Sequence, residues 1–269
     1  MRQLFKYKEL IFELTLRDLK LQHRKPYFGF LWMLIIPFCT AIIYKVLFSD
    51  FFHATSGGYP FFIHLITALL PWNYFVSSIQ RANRCILDSK NIISQVSFPK
   101  SLLPVSAVLV NLINFLPTLL VMELFLIAFK VKLTMLIFFL PVVILIHTCL
   151  IMGLAFLVSS LQVIYRDTEY VIQIMLMALF FLTPGVYTLE ELISKSGSFF
   201  IKIYMLNPLV GIMNLYRIVF MGDYLSILPK EANLFNTLIN PVLWSIAVLF
   251  IGYFIFKKYE KGFLDHLNF

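Results

Sequence analysis

The sequence is poor in charge. Asp, Glu, Lys and Arg make up 13% of its 269 residues, against about a quarter in a soluble domain, so much of the polar surface that keeps a folded chain in water is missing. Cysteine is scarce too. Cys39, Cys85 and Cys149 are odd in number, far apart and at no metal-ligand spacing, which excludes a disulfide framework and leaves three small packing residues. There is no GxxxxGK[ST], so the chain does not cradle a nucleotide in that manner. HExxH and GxSxG are absent, and no two of the five histidines stand at metal-ligand spacing, which removes the corresponding hydrolase chemistries. The N-terminal stretch MRQLFKYKELIFELTLRDLKLQHRKPYFGF is too charged for the core of a cleavable signal and offers no small-residue cleavage site.

Apolar length is what the chain has in excess, with 60% hydrophobic residues. A helix rises about 1.5 Å per residue, so about 20 apolar residues cross a hydrocarbon layer roughly 30 Å thick. Six such runs stand at 28–48, 60–79, 102–129, 133–161, 170–187 and 237–256, and the sequence predicts an all-α membrane protein with six transmembrane helices. Basic residues set the orientation. Arg2, Lys6, Lys8, Arg17, Lys20, Arg24 and Lys25 precede the first run. Arg81, Arg84, Lys90 and Lys100 follow the second, Arg166 the fourth, and Lys257, Lys258 and Lys261 the sixth. The other side holds Lys130, Lys132, Lys195, Lys202, Arg217 and Lys230. Both termini are therefore expected in the cytoplasm, and topology explains the net charge of +8 without a nucleic-acid partner.

Two segments are too short or too polar to span. Residues 8–25 place Leu10, Ile11, Leu14, Arg17, Asp18 and Leu21 at helical spacing, the pattern of an amphipathic helix lying in the inner interface. Residues 188–236 hold the short apolar pieces FFIKIYML and LVGIMNLYRIVFMG, broken at Asn207-Pro208 and Gly222. They read as re-entrant or interfacial helices on the outer face, where irregular backbone must be covered by protein. Pro37, Pro71, Pro104, Pro117, Pro141 and Pro184 lie inside the runs and can kink them. No internal repeat is evident, which argues against an inverted-repeat transporter.

Few ionisable groups lie within the runs. Glu123 is two helical turns before Lys130 near a span end, where it reaches water, and His64 and His147 read as structural. Aromatic residues abound: 29 Phe, 13 Tyr and 3 Trp. Tyr27, Trp32, Tyr59, Trp72, Tyr74 and Tyr187 fit an interfacial belt. A lining of flat faces for a sliding sugar chain is the alternative, and Tyr27, Trp32, Phe180, Phe181 and Tyr187 are its candidates. On the basic side, RANRCILDSKNIISQVSFPKSLLP alternates apolar and charged residues and forms a short amphipathic projection. The knot YRDTEY, 165–170, is a second. Such projections dock on a partner or on the membrane surface.

Five motifs then stand in order. LTLRDLKLQHRKPYFGFLWMLIIPF carries Arg17, Asp18, Lys20, Arg24, Gly29, Trp32 and Pro37. SQVSFPKSLLPVS follows the first loop. YRDTEY leads to FFLTPGVY, with Arg166, Asp167, Thr183, Pro184 and Tyr187. NPLVGIMNLYR and the tail YFIFKKYEKGFLDHL complete the set. Together they resemble the ABC-2 type permeases that export polysaccharides. The resemblance covers nearly the whole chain.

That resemblance implies an ABC-2 exporter fold and a single domain: a cytoplasmic N-terminus at 1–27, spans one to five over 28–187, an extracytoplasmic gate segment at 188–236, the sixth span at 237–256 and a cytoplasmic tail at 257–269. It implies a homodimer around one conduit in the bacterial cytoplasmic (inner) membrane. Two copies of a separate ATPase would bind ATP and Mg, with no cofactor and no catalytic or metal site in this chain. The cargo implied is an undecaprenyl-linked glycan of the O-antigen, teichoic acid or capsule type. Arg84, Asp88, Asn91, Ile92 and Ile93 would form the first ATPase-coupling element, and Tyr165, Arg166 and Asp167 the second. Arg17, Asp18, Lys20 and Arg24 would mark the interface helix. An ABC-2 exporter of a drug or small lipid, or an ion-coupled secondary transporter, remains the alternative.

Overall fold

A backbone in hydrocarbon must satisfy its own polar groups, and over long apolar runs the α-helix does so within one segment. The computed structural model describes residues 7–22, 31–47, 55–56, 59–132, 134–185, 187, 189, 192, 198–222, 224–228 and 235–263. Among them the α-helices are α1 (Lys8–Gln22), α2 (Trp32–Tyr44), α3 (Phe61–Asp88), α4 (Lys90–Gln95), α5 (Leu102–Ala128), α6 (Leu140–Ile164), α7 (Thr168–Phe181), α8 (Ser198–Met205), α9 (Pro208–Phe220), α10 (Tyr224–Ile227) and α11 (Asn240–Tyr259), with shorter 3-10 or π turns at Met135–Phe139, Phe235–Ile239 and Glu260–Gly262. One short antiparallel pair, Thr55–Ser56 with Tyr59–Pro60, precedes α3.

Among the described residues, four helical runs are long and apolar enough to cross a membrane: Phe61–Asp88, Leu102–Ala128, Met135–Ile164 and Phe235–Gly262. Three of the apolar helices are shorter, namely Trp32–Leu47, Thr168–Phe181 and Pro208–Phe220. The run expected at 170–187 stops being helical at Phe181. Thr183 Oγ1 turns back to the Leu179 carbonyl at 2.7 Å, and Pro184 has no N–H to donate and disfavours helical backbone at the residue before it.

Helix α9 is buried on every side. Asn207 caps it, accepting the Leu209 N–H at 3.0 Å, Pro208 occupies its first turn, and each residue from Leu209 to Phe220 is buried. Thirteen residues rise only about 20 Å, so α9 is a short helix inside the protein. Gly211 is required where it packs: a Cβ there would stand 2.3 Å from Pro241 Cγ and 2.7 Å from the Asn236 carbonyl oxygen.

The main core joins α3, α5, α6 and α9 around Phe62, Phe75, Val108, Met122, Ile151 and Tyr216. A second core lies at one end of the bundle. There Leu14 of α1, Ile86 of α3, Ile93 of α4, Leu102 of α5, Phe156 and Val163 of α6, and Phe256 and Phe263 of the C-terminal segment pack together. The segments that the charge pattern places on one side thus meet at one end, called here the basic end. Helix α1 rests there through Leu14, Thr15 and Leu19, whereas Leu21 is exposed.

Candidate functional site

Helix α3 changes character halfway. Residues 61–72 are all buried, yet Asn73, Ser77, Gln80 and Arg84 are exposed. Their spacing of four, three and four residues places them on one face. Beside this strip runs a groove of about 390 Å³, to which α2 contributes Thr40 and α5 contributes Asn111, Asn114 and Thr118. Asn111 Nδ2 donates to the Ser77 carbonyl at 3.3 Å. Asn114 Nδ2 donates to Gln22 Oε1 of α1 at 3.1 Å. On the other flank, Gln80, Asn83, Arg84, Glu169 and Gln173 line a smaller hollow of about 260 Å³ between α3 and α7. Polar side chains cost free energy against lipid and are kept where they meet water or each other. Such a face suits water or a polar partner better than lipid.

The aromatic candidates lie elsewhere. Trp32 is half-exposed on the first turn of α2. Phe180 packs on Trp72 and on Phe181, with ring centroids 5.6 and 5.4 Å apart, and Phe181 is exposed. Tyr187 donates to the Phe181 carbonyl at 2.8 Å and meets Tyr204 Oη at 2.9 Å. These three gather away from the basic end, beyond the polar strip. Tyr27 and Arg24 lie outside the described residues. Sequence reasoning missed Asn73, Ser77 and Gln80, although N-x3-S-x2-Q-x3-R inside an apolar helix was the available signal.

At the basic end, a chamber of about 510 Å³ separates α1 from the ends of α3 and α5; its polar lining includes Arg17, Asp18, Gln22, Arg81 and Asp88. Arg17 donates from Nε and Nη2 to Asp18 Oδ1 at 2.9 and 2.7 Å. Arg81 stands 3.8 Å from the other Asp18 oxygen. Partial burial holds the Asp88 carboxyl above the usual carboxylate range, against the pull of Arg84 and Arg81. Interface-helix residues and the coupling candidate Asp88 thus share one chamber. Lys20 is exposed on the last turn of α1.

The first loop is α4, set off from α3 by a break at Ser89. Asn91 is exposed and Ile92 half-buried, but Ile93 turns inward to the second core. Arg84 is engaged within the chain: its guanidinium pairs with Glu169 at 2.7 Å, which raises its pKa further. The knot is a tight turn between α6 and α7. Gln162 Nε2 donates to the Arg166 carbonyl at 3.0 Å and Thr168 Oγ1 to the Tyr165 carbonyl at 2.6 Å. Fixed in this way, the turn presents Tyr165, Arg166 and Asp167 on the surface.

At the opposite end, Arg217 of α9 is wholly buried, which a count of charges by side does not foretell. Its Nη2 donates to the carbonyl oxygens of His64, at 3.3 Å, and Pro184. The guanidinium lies over the Tyr224 ring, 5.9 Å from its centre. His64 Nε2 is 3.4 Å from the Tyr187 carbonyl oxygen. One arginine therefore ties α9 to the start of α3 and to the turn after α7. His147, also buried, meets Tyr216 Oη at 3.3 Å inside the main core.

Residues 9–221 match the family described as ABC-2 type transporter. A relative in Myxococcus xanthus, called an O-antigen export system permease protein, is 30% identical over 266 residues, covering 99% of this chain and 98% of its own. Two proteins of the same description in Klebsiella pneumoniae are each 28% identical over 265 residues, covering 96% of this chain and 95% of theirs.

Proposed function

The chain belongs to the ABC-2 type transporter family, and from that premise we propose that it is the membrane permease subunit of an ATP-driven exporter of a lipid-linked, O-antigen-like polysaccharide. Relatives that cover 99% and 96% of this chain are called O-antigen export system permease proteins, which supports the reading. The observation that carries the reading is the polar face of α3, with Asn73, Ser77 and Gln80 exposed directly after a stretch, 61–72, that is buried throughout. Amide and hydroxyl groups exchange hydrogen bonds with sugar hydroxyls and water, each worth about 1 kcal/mol net. A row of such contacts lets a long glycan slide where one strong site would hold it.

Helices α2 and α7, though shorter, complete six spans with the four long runs. The strip of one chain faces its counterpart in a second copy across a two-fold axis, and the conduit lies between them. The basic end faces the cytoplasm, where the excess of Lys and Arg belongs. The ATPase, in two copies, carries ATP and Mg and seats on Tyr165, Arg166, Asp167, Asn91 and Ile92. The chain lies in the cytoplasmic membrane, and Arg217 holds the outer gate segment in place. The alternating charges of the knot suit this seat, since a short turn must grip a soluble protein without sinking into lipid.

The test is glycan export by the chain co-expressed with its ATPase, comparing wild type with Asn73→Leu/Ser77→Leu/Gln80→Leu. The expected result is an assembled complex whose export falls to background. Wild-type export by the triple variant would remove α3 from the path. A wild-type chain that captures no ATPase would remove the exporter reading itself.

A further inference from the structure

The C-terminal segment supplies something that the first loop lacks. Helix α5 begins behind Phe98, Pro99, Lys100 and Ser101, and Ser101 makes no side-chain cap. A helix start leaves N–H groups unpaired and carries partial positive charge. Here the acceptor comes from the far end of the chain. Glu260 Oε1 accepts the backbone N–H of Lys100 at 2.8 Å, and Lys100 Nζ donates to the Glu260 carbonyl at 3.2 Å. Lys257, one turn earlier, pairs with the second carboxylate oxygen and fixes its direction. Beyond the single turn Glu260–Gly262, Phe263 is wholly buried. It stands edge-on to Phe256 at 5.3 Å, which meets Phe156 of α6 at 5.4 Å, and the Lys100 ammonium lies over the Phe263 ring.

We propose that this hook is a third element of the coupling apparatus, and that Glu260 is a positioning residue clamping the return of the first loop to the end of α11. The proposal rests on the reading of α4 and the knot as ATPase contacts. Residues 96–101 are not helical, and a bare extended link would absorb a push on α4. The clamp stiffens it. A displacement of α4 then reaches α11 directly and passes to α6 where Gly252 rests on Gly153. Helix α6 ends in the knot, so the push returns to the second coupling element. Glu260 touches no substrate in this scheme and acts by holding the loop.

Two measurements test it. In the chain with its ATPase in lipid nanodiscs, Glu260→Ala is expected to lower glycan exported per ATP by about threefold or more while the complex stays assembled. Glu260→Gln, which keeps an acceptor for the Lys100 N–H, should fall between the two. In the permease alone, Glu260→Ala should speed amide hydrogen exchange at Lys100. Wild-type coupling in Glu260→Ala, or unchanged exchange at Lys100, overturns the proposal. If Glu260→Ala fails to assemble, Glu260→Asp decides, since it keeps the charge but withdraws it by one methylene: lowered coupling supports the clamp and wild-type coupling overturns it. A wild-type chain that binds no ATPase would overturn the coupling role together with the exporter reading, and the exchange result would then report the contact alone.

Discussion

A single methyl group tests whether α6 and α11 are one mechanical unit. At Gly252 a Cβ would stand 2.1 Å from the carbonyl oxygen of Gly153, 2.9 Å from its carbonyl carbon and 3.2 Å from its Cα. All three are backbone atoms, so no rotamer change relieves the clash and the helices must part by on the order of 1 Å, a gap that forfeits a quarter to a half of each contact along the seam. In an unconstrained helix, glycine to alanine gains about 1 kcal/mol. Gly252→Ala therefore weighs that gain against an overpacking cost of up to about 3 kcal/mol, and the expected balance is a loss of about 2 kcal/mol. Reversible unfolding in mixed micelles measures it. Gly153→Ala should lose a similar amount, because a Cβ there would stand 2.5 Å from the backbone at Val248 and Leu249. The double variant should lose less than the sum, since helices already parted accept the second methyl. Unchanged or raised stability in Gly252→Ala would refute the close crossing.

Three further outcomes are expected. Reversing either charge of the Arg84–Glu169 pair (2.7 Å apart) should lower export per ATP, and the exchanged pair Arg84→Glu/Glu169→Arg should restore most of it, read in the same coupled assay. Asp88→Asn should raise the stability of the permease at neutral pH. The Asp88 carboxyl is held above its ordinary range by burial, so ionisation costs the fold free energy above the folded pKa, and that cost vanishes as pH falls below the unfolded value; the gain from Asp88→Asn should shrink with it. Arg217→Met withdraws the donor from both the His64 and Pro184 carbonyls. It should cost about 1.5–3 kcal/mol, the worth of a charged hydrogen bond, in unfolding measurements.

Helical class, the long runs and the gathering of the basic segments were legible because they depend on composition and local period. Asn207-Pro208 marked the start of α9 through cap chemistry that is local to the chain. The burial of Arg217 does not show in a count of charges, which ignores their surroundings. The helix around it is apolar on all sides, which is itself a mark of burial, and reading that pattern first would have placed the arginine inside. The inward turn of Ile93 and the engagement of Arg84 depend on neighbours distant in sequence, Phe256 and Phe263 for the one and Glu169 for the other, and no local pattern names such partners. Aromatic candidates were chosen by residue type, whereas the polar strip is defined by which face of α3 the rest of the bundle leaves uncovered.

Helix α3 explains why so few charges suffice. Its 28 residues rise about 42 Å, roughly 12 Å more than the hydrocarbon layer is thick, so one continuous rod lines the proposed path and projects beyond it. At its start the His64 carbonyl accepts from Arg217, and near its end Arg84 holds Glu169. A rod fixed at both ends carries a displacement with little loss, and contiguous elements of this kind are how distant sites become coupled. The charges at the basic end are spent on fastening the rod to its neighbours: Asp18 at Arg81 and Glu169 at Arg84, with Glu260 at the start of the next helix. In the proposed scheme the strip from Asn73 to Gln80 needs no charge, because it would be moved from its end. A polysaccharide lying against that strip would feel a push on the loop as a shift of the whole wall, and the short polar side chains would trade one set of hydroxyls for the next.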